Sequence, residues 1–444
     1  MKNSSILRDF FKYTSLNVMG MLGLSCYILA DTFFVSKGLG TNGLTALNLA
    51  IPIYSFIHGS GLMIGMGGGT KYAIQKSQQA HTAANRTFTN AVYLAVAFAA
   101  FFVLIGLCFS GTIVSLFGAD EDVFAMSNTY LQIILLFAPA FLMNNVLLCF
   151  VRNDGAPHLS MAAMIVGSLS NVVLDWVFIF PCRMGIFGAA FATGLAPLIS
   201  MLILSPHFIR KHNQFHFTKC GPEGRLFAGI LSSGVPSLVT EVSSGIVIIV
   251  FNSIILRLEG NVGVAAYGVI ANLSLVIIAI YTGIAQGIQP IVSRSHGLGN
   301  HGNIRTILRY ALTVMLAVSA IIYGAVFFGA EQITAIFNSE QNAVLQEIAT
   351  EGLRLYFIAC PFAGLNVILS MYFTSTEQPK PAHVISILRG FLVIIPMAFL
   401  LSFLGKIYGV WCAFPATEIL VALTALLLFF KSKNTGSRKM AQTD

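Results

Sequence analysis

Between Gly167 and Gly188 the chain reads GSLSNVVLDWVFIFPCRMGIFG, an apolar run that nevertheless carries Asn171 and Asp175. Four residues on a helix make about one turn, so the amide and the carboxyl share a face. A carboxylate at bilayer depth is costly, about 2.5–3.5 kcal/mol on insertion scales, and by default marks an ion pathway or a proton relay. The plainer alternative is an acid that stays protonated and bonds a neighbouring helix. Few other charges interrupt apolar runs: Asp31, Glu241, Glu418 and Arg389. Two buried acids in one site are expensive to ionise together, so one of Asp31 and Asp175 is expected to hold a proton near neutral pH. The same oxygens, with an amide and hydroxyls, would equally suit Na⁺, a hard cation, and the residue types do not choose between the two ions.

These residues need elements to hold them, and composition says which. Of 444 residues, 9% are charged and 56% hydrophobic, with a mean hydropathy of +0.81. A soluble domain carries about 25% charge. The chain therefore reads as an all-α polytopic membrane protein whose unit is an apolar run of about 20 residues. Twelve such runs are expected, near 14–36, 44–70, 90–112, 126–149, 160–181, 186–209, 228–256, 264–292, 308–330, 351–373, 383–404 and 408–430. The longest polar connection is RKHNQFHFTKCGPEGR, 210–225. The expected organisation is an N-lobe (1–209), a cytoplasmic linker (210–227), a C-lobe (228–432) and a basic cytoplasmic tail (433–444).

With the N-terminus placed inside, 19 of the 25 Lys and Arg fall in inner segments and four (Lys37, Arg183, Arg257, Lys406) outside, while Arg354 and Arg389 fall within spans. The outer loops carry acids instead: Asp120, Glu121, Asp122, Glu259, Glu331, Glu340 and Glu347. This asymmetry places both termini in the cytoplasm. The net charge of +8 thus reflects inner loops, and no nucleic-acid partner is expected. The seven cysteines form no CxxC, so neither a metal site nor a disulfide framework is implied. No cleavable signal is expected ahead of the first span.

At about 1.5 Å per residue, Asp31 and Asp175 both reach the outer half of the bilayer. Tyr130 and Thr193 enter early in spans four and six and lie at similar depth. With Asn171 they are expected to converge in a cavity of the N-terminal half, while Glu241 lies near mid-depth in the C-terminal half, placed to attract an organic cation or to act as a second coupling acid. Arg389 and Glu418 are expected to pair with each other or with backbone. The second span gathers Gly59, Gly61, Gly65, Gly67, Gly68 and Gly69, which suits close helix packing or a flexible gating helix. GMGGGTK lacks the ending of a phosphate loop.

The halves repeat. At an offset of 220, Gly40 meets Gly260, Gly43 meets Gly263, Ala46 meets Ala266, Gly67 meets Gly287 and Phe117 meets Phe337; at 222, Pro139 meets Pro361, Asn144 meets Asn366 and Pro157 meets Pro379. Six spans is an even number, so the repeats are parallel, and rocking one against the other would give alternating access.

At these residues the chain resembles the multidrug and toxic compound extrusion (MATE) family, over about residues 10 to 430. The carrying stretches are ADTFFVSKGLGTNGLTALNLAIP in the first span and after it, SNVVLDWVFIF in the fifth, GIFGAAFATGL in the sixth, and GVPSLVTEVSSGIVIIVFNSII in the seventh. The last is similar to the staphylococcal-type multidrug branch. The resemblance implies two pseudo-symmetric six-helix lobes and a coupling-ion cavity at Asp31, Tyr130, Asn171, Asp175 and Thr193, with Na⁺ possible at Asp31, Asn171, Asp175 and Thr193. It also implies that Glu241 handles substrate or cation in the C-lobe. The tenth span, LRLYFIACPFAGLNVILSMYF, carries no acid after Arg354, so a C-lobe Na⁺ site is not expected. The reading is therefore a monomeric antiporter of the cell membrane. It would export amphipathic or cationic compounds in exchange for H⁺ or Na⁺, with no cofactor and no enzymatic chemistry. A lipid-linked flippase of the same superfamily is the rival. It would want a cleft with several cations, and only Arg152, Arg354 and Arg389 approach the spans.

Overall fold

The computed structural model describes residues 3–338 and 341–440, with side chains for 5–338 and 341–432. Lys2, Glu340 and 441–444 of the tail lie outside the described residues, and for 433–440 only the helical backbone is described. Among the described residues all regular structure is helical: α1 (Asn3–Ser77), α2 (His81–Cys108), α3 (Ser110–Leu116), α4 (Glu121–Leu136), α5 (Ala138–Asn153), α6 (Pro157–Ile179), α7 (Gly185–Ile209), α8 (Gly224–Gly297), α9 (His301–Phe337), α10 (Ala343–Tyr356), α11 (Cys360–Ser375), α12 (Pro379–Ile387) and α13 (Ile394–Met440).

The twelve expected spans map onto these helices once the breaks are read. α1 is interrupted at Gly40 (φ 66°, ψ −157°), α8 at Gly260 (φ 62°, ψ −154°) and α13 at Lys406 (φ 49°, ψ −132°). Each break divides two spans. α4 and α5 meet at a 46° bend, where Pro139 in the first turn of α5 withholds an N–H. Pro361 does the same at the start of α11, after a 3₁₀ turn over Phe357–Ala359. A π-helical turn over Leu388–Leu392 links α12 to α13.

Left-handed backbone positions extend the repeat seen in the sequence. Gly40 and Gln79 in the first half answer Gly260 and Gly299 in the second; Gly118, Gly155 and Arg183 answer Gln341, Glu377 and Lys406, all at offsets of 220 to 223. Chain reversals therefore repeat even where the residue type does not. The breaks at Gly40 and Gly260 fall in a region of backbone space open essentially to glycine alone.

Two compact units emerge: unit 1 comprises Met1–Gly245 with Gln286–Ile304, and unit 2 comprises Ile246–Ala285 with Arg305–Asp444. They divide inside α8 and α9. The segment 210–227 runs along α2 in unit 1. The backbone N–H groups of Gln214, His216 and Thr218 donate in turn to Asp154, Asn85 and Thr89, that of Glu223 donates to Asn90, and the Tyr93 phenol donates to the carbonyl of Cys220. Phe215, fully buried, plugs a ring cluster of Tyr72, Phe88, Phe150 and Phe208. Beneath it the buried carboxylate of Asp154 accepts from Tyr72 Oη (2.5 Å) and Lys76 Nζ (2.6 Å), and bonds His207 Nε2 (2.8 Å).

The glycines of the second span are packing surfaces in this structure. A Cβ on Gly67 would stand 2.0 Å from the Ile230 carbonyl oxygen, and one on Gly234 would stand 1.8 Å from that of Met63. The two helices cross backbone to backbone, as small residues permit.

Candidate functional site

α6 and α7 are drawn together by small residues at both ends of their contact. A Cβ on Gly167 would meet Ser200 Cβ at 3.1 Å, and one on Gly188 would meet Phe178 Cβ at 2.9 Å. Between these points Asn171 and Asp175 on α6 face Thr193 on α7, and the first part of α1 brings Asp31 alongside. Asp175 and Asn171 are fully buried, Asp31 is 8% exposed, and Thr193 and Tyr130 are each 5% exposed. The carboxyls of Asp31 and Asp175 lie within hydrogen-bonding range of each other. With its amide nitrogen toward the acid, Asn171 donates to Asp175 Oδ2 at 3.1 Å and its oxygen accepts from the Thr193 N–H at 3.2 Å. The Thr193 hydroxyl donates to the Ala189 carbonyl at 3.1 Å and lies beside Tyr130. Asp31 Oδ1 and Asp175 Oδ1 remain buried without a protein partner. All five residues expected to converge thus meet in unit 1.

Glu241 lies on the first part of α8, in the stretch grouped with unit 1, and its side chain, 33% exposed, lies 3.6 Å from His58 Nδ1. The helix crossing explains the placement: Gly59 leaves room for the Glu241 Cβ, which a Cβ at Gly59 would approach to 3.0 Å. His58 stacks on Tyr54 at 5.9 Å and 14°, and Tyr54 Oη bonds Tyr27 Oη at 2.8 Å. Tyr27 is one turn before Asp31, and Tyr54 one turn before His58. A polar line therefore runs through unit 1 from the acid pair to Glu241. It borders a cavity whose walls include Tyr27, Tyr54, His58, Thr193, Glu241, Asn145 and Arg152, a lining that mixes aromatic and polar groups.

Unit 2 holds a different cluster. Glu418, fully buried, accepts from Arg389 Nε at 2.6 Å and from Asn366 Nδ2 at 2.7 Å. The expected pairing of Arg389 with Glu418 is present. Arg354 lies at a helix end rather than deep in a span, against Glu331 (3.2 Å) and Glu351 (3.3 Å).

Three features escaped the sequence reading: the Tyr27–Tyr54 bridge, the Asp154 knot, and the burial of Arg152. The i, i+4 spacing of Tyr27 to Asp31 and of Tyr54 to His58 was the available signal for the first. Nothing local announced the knot, because its members come from four segments remote in sequence.

Comparison with known proteins places this geometry. A family model described as MatE matches residues 18–177 and 236–400. The multidrug export protein MepA of Staphylococcus aureus is 23% identical over 431 residues, spanning 97% of this chain and 94% of the relative. An outward-facing structure of a multidrug resistance MATE family transporter of the MOP superfamily superposes with a TM-score of 0.89 at 22% identity, covering 99% of both chains. A MOP superfamily transporter from Pyrococcus furiosus, described as having a binding pocket of reverse polarity, superposes at 0.88 and 22% identity over 96% of this chain and 97% of that one.

Proposed function

The chain belongs to the MatE family, and from that premise we propose that it is a secondary antiporter that exports amphipathic or cationic compounds in exchange for H⁺ or Na⁺. The observation that carries the reading is the acid pair. Asp31 and Asp175 touch, both are buried, and each keeps one carboxyl oxygen without a protein partner. Buried polar atoms are nearly always satisfied, and orphaned ones point to a ligand. A proton shared between the carboxyls fits that arrangement. So does a Na⁺ held by both acids with Asn171 and Thr193 oxygens, a donor set of the hard kind. The MepA relative is a multidrug exporter by name, which supports drugs as the other cargo.

The ion and the drug are coupled by differential binding: an ion that favours one conformation of unit 1 shifts the population toward it. Between the acid pair and the cavity wall, Tyr27 stands one turn from Asp31 and bonds Tyr54, Tyr54 stacks on His58, and His58 lies 3.6 Å from Glu241. On this reading the chain works as a monomer in the cell membrane with both termini in the cytoplasm, the two repeats rocking to alternate access.

The test is efflux of a fluorescent organic cation from proteoliposomes under an imposed pH gradient and, separately, a Na⁺ gradient. The gradient that drives efflux names the ion. Well-folded protein that transports under neither would end the antiporter reading.

A further inference from the structure

The last turns of α8, residues 286–297, are grouped with unit 1. There Gln286, Gln289 and Ser293 fall three and four residues apart and so share one face. Two layers of polar side chains join that face to α1 and α5. In the first, Arg152 Nη1 donates to the amide oxygens of Asn17 and Gln286, both at 2.8 Å. In the second, Asn153 and Gln289 exchange amide hydrogen bonds at 3.0 and 3.1 Å, and Gln289 Nε2 also reaches Thr70 Oγ1 at 3.1 Å. Arg152 and Gln286 line the unit 1 cavity, whereas Thr70, Asn153 and Gln289 are buried outside its lining. The second layer therefore stands behind the first. Glycines let the backbones close around both: a Cβ on Gly287 would stand 2.6 Å from Thr14 Cα, and one on Gly297 would stand 2.7 Å from the Ile74 carbonyl oxygen.

The chemistry of these layers suits a contact that opens and closes. An amide or hydroxyl bond inside the protein replaces one of similar strength to water, so parting it costs little net free energy once water enters. The guanidinium adds a second property. Arg152 Nη2 meets only sulfur, Met66 Sδ at 3.1 Å and Cys149 Sγ at 3.6 Å, and its Nε is buried with no partner. Asp154, two residues on, is committed to Tyr72, Lys76, His207 and the Gln214 N–H. The layer beside the cavity thus holds a positive charge that no carboxylate of the described residues pairs with. A fixed arginine at a constriction raises an electrostatic barrier against protons and cations.

We propose that the two layers are the inner gate of the transport path, closed in this structure, and that Arg152 makes the closed gate tight to protons and cations. Opening the cavity to the cytoplasm withdraws the end of α8 from α1 and α5, breaks both layers and wets their amides. The charge of Arg152 prevents the coupling gradient from running down through the gate while it is shut. This rests on the efflux reading and names the contact that must part under it.

Thiol chemistry on the full chain tests the movement. Ser77→Cys with Gly297→Cys places two thiols at the rim of the gate, where a Cβ on Gly297 would stand 2.1 Å from Ser77 Oγ. Oxidation of this double variant in proteoliposomes is expected to abolish gradient-driven efflux of a fluorescent organic cation, and a reductant to restore it, so the reduced protein is its own reference. Gln289→Cys needs no disulfide. A membrane-impermeant thiol reagent, read by mass spectrometry of the labelled peptide, is expected to reach it only from the cytoplasmic face and about tenfold faster during turnover than at rest. Without substrate, Arg152→Gln is expected to pass protons down an imposed pH gradient about threefold faster than wild type, and Arg152→Lys to restore the seal. Efflux that continues through the oxidised pair overturns the proposal, as does labelling from the outer face, labelling indifferent to turnover, or a proton leak unchanged in Arg152→Gln. Wild type that transports under neither gradient counts against the efflux reading instead, and the side of labelling and the proton leak still judge the gate.

Discussion

In unit 1 the buried acids Asp31 and Asp175 face each other, whereas in unit 2 the buried acid Glu418 faces a guanidinium. Both clusters sit on repeated scaffolding: the breaks at Gly40 and Gly260, the proline bends at Pro139 and Pro361, and the amides Asn144 and Asn366 correspond. The chemistry does not repeat. At the same offsets Asp31 meets Phe251 and Asp175 meets Met397. Asn366 donates to Glu418, while Asn144 lines the unit 1 cavity; each amide keeps a buried oxygen without a partner. One repeat has closed its charges internally and the other has left them for something else. On the proposed reading, a duplicated backbone permits a division of labour: a satisfied pair fixes structure, and an unsatisfied one would take the coupling ion.

The sharpest way to break that contrast is Asp175→Asn. The substitution is close to isosteric and removes the charge that an ion would meet. Gradient-driven efflux is expected to fall by about 100-fold or more, the scale of losing a charged partner in a dry site, with the melting temperature held near wild type. Asp31→Asn is expected to behave alike. Efflux still driven by a gradient in Asp175→Asn would remove the acid pair from the coupling path.

The opposite cluster is expected to show the opposite phenotype. Glu418→Ala strands the Arg389 guanidinium and the Asn366 amide, and breaking a buried pair in this way costs about 3–5 kcal/mol. Thermal unfolding followed by circular dichroism in detergent is expected to shift down accordingly, with efflux per folded molecule preserved. Replacing both partners together, Arg389→Met with Glu418→Leu, is expected to restore most of the loss. A double variant no more stable than the single one would mean that the ion pair does more than fill its site.

Next in size are the paired breaks. Gly40→Ala and Gly260→Ala force a side chain into backbone space that tolerates essentially glycine, at about 1–3 kcal/mol each. No neighbour within 4 Å would meet the added Cβ at either site, so the cost is conformational and is expected to be equal in the two units. Unequal losses, read from the same unfolding curves, would show that the two breaks are not equivalent.

How much of this was legible beforehand follows from what each feature depends on. Spans are set by runs of apolar residues, a local property, and all twelve were readable, as was the repeat. The five-residue cluster was readable because Asn171 and Asp175 announce a polar helix face and depth aligns the others. The approach of Glu241 to His58 was not readable, because it depends on Gly59 and Gly67 letting the first part of α8 pack against α1. That is a contact between backbones, which leaves no mark in hydropathy. The 210–227 segment reads as a linker because it is polar. What its polarity did not announce is its hydrogen bonds to Asn85, Thr89 and Asn90 on α2, partners more than a hundred residues away.

The finest distinction within unit 1 concerns Thr193, which touches the acid cluster without carrying charge. Its hydroxyl bonds Ala189 and lies beside Tyr130, and its N–H meets Asn171. Thr193→Val keeps the shape and the N–H but removes the oxygen. If the coupling ion is a proton held between the carboxyls, the hydroxyl only steadies Tyr130, and the loss is about 1 kcal/mol of local order, a few-fold change in transport rate at most. If the ion is Na⁺, the hydroxyl is a ligand, and its removal is expected to raise the Na⁺ concentration for half-maximal efflux by about tenfold while leaving pH-driven transport alone. Measuring efflux against Na⁺ at fixed pH in this variant therefore separates the two ions by a neutral atom. The Arg389–Glu418 cluster of unit 2, which has no open oxygen on its acid, offers no counterpart to that test.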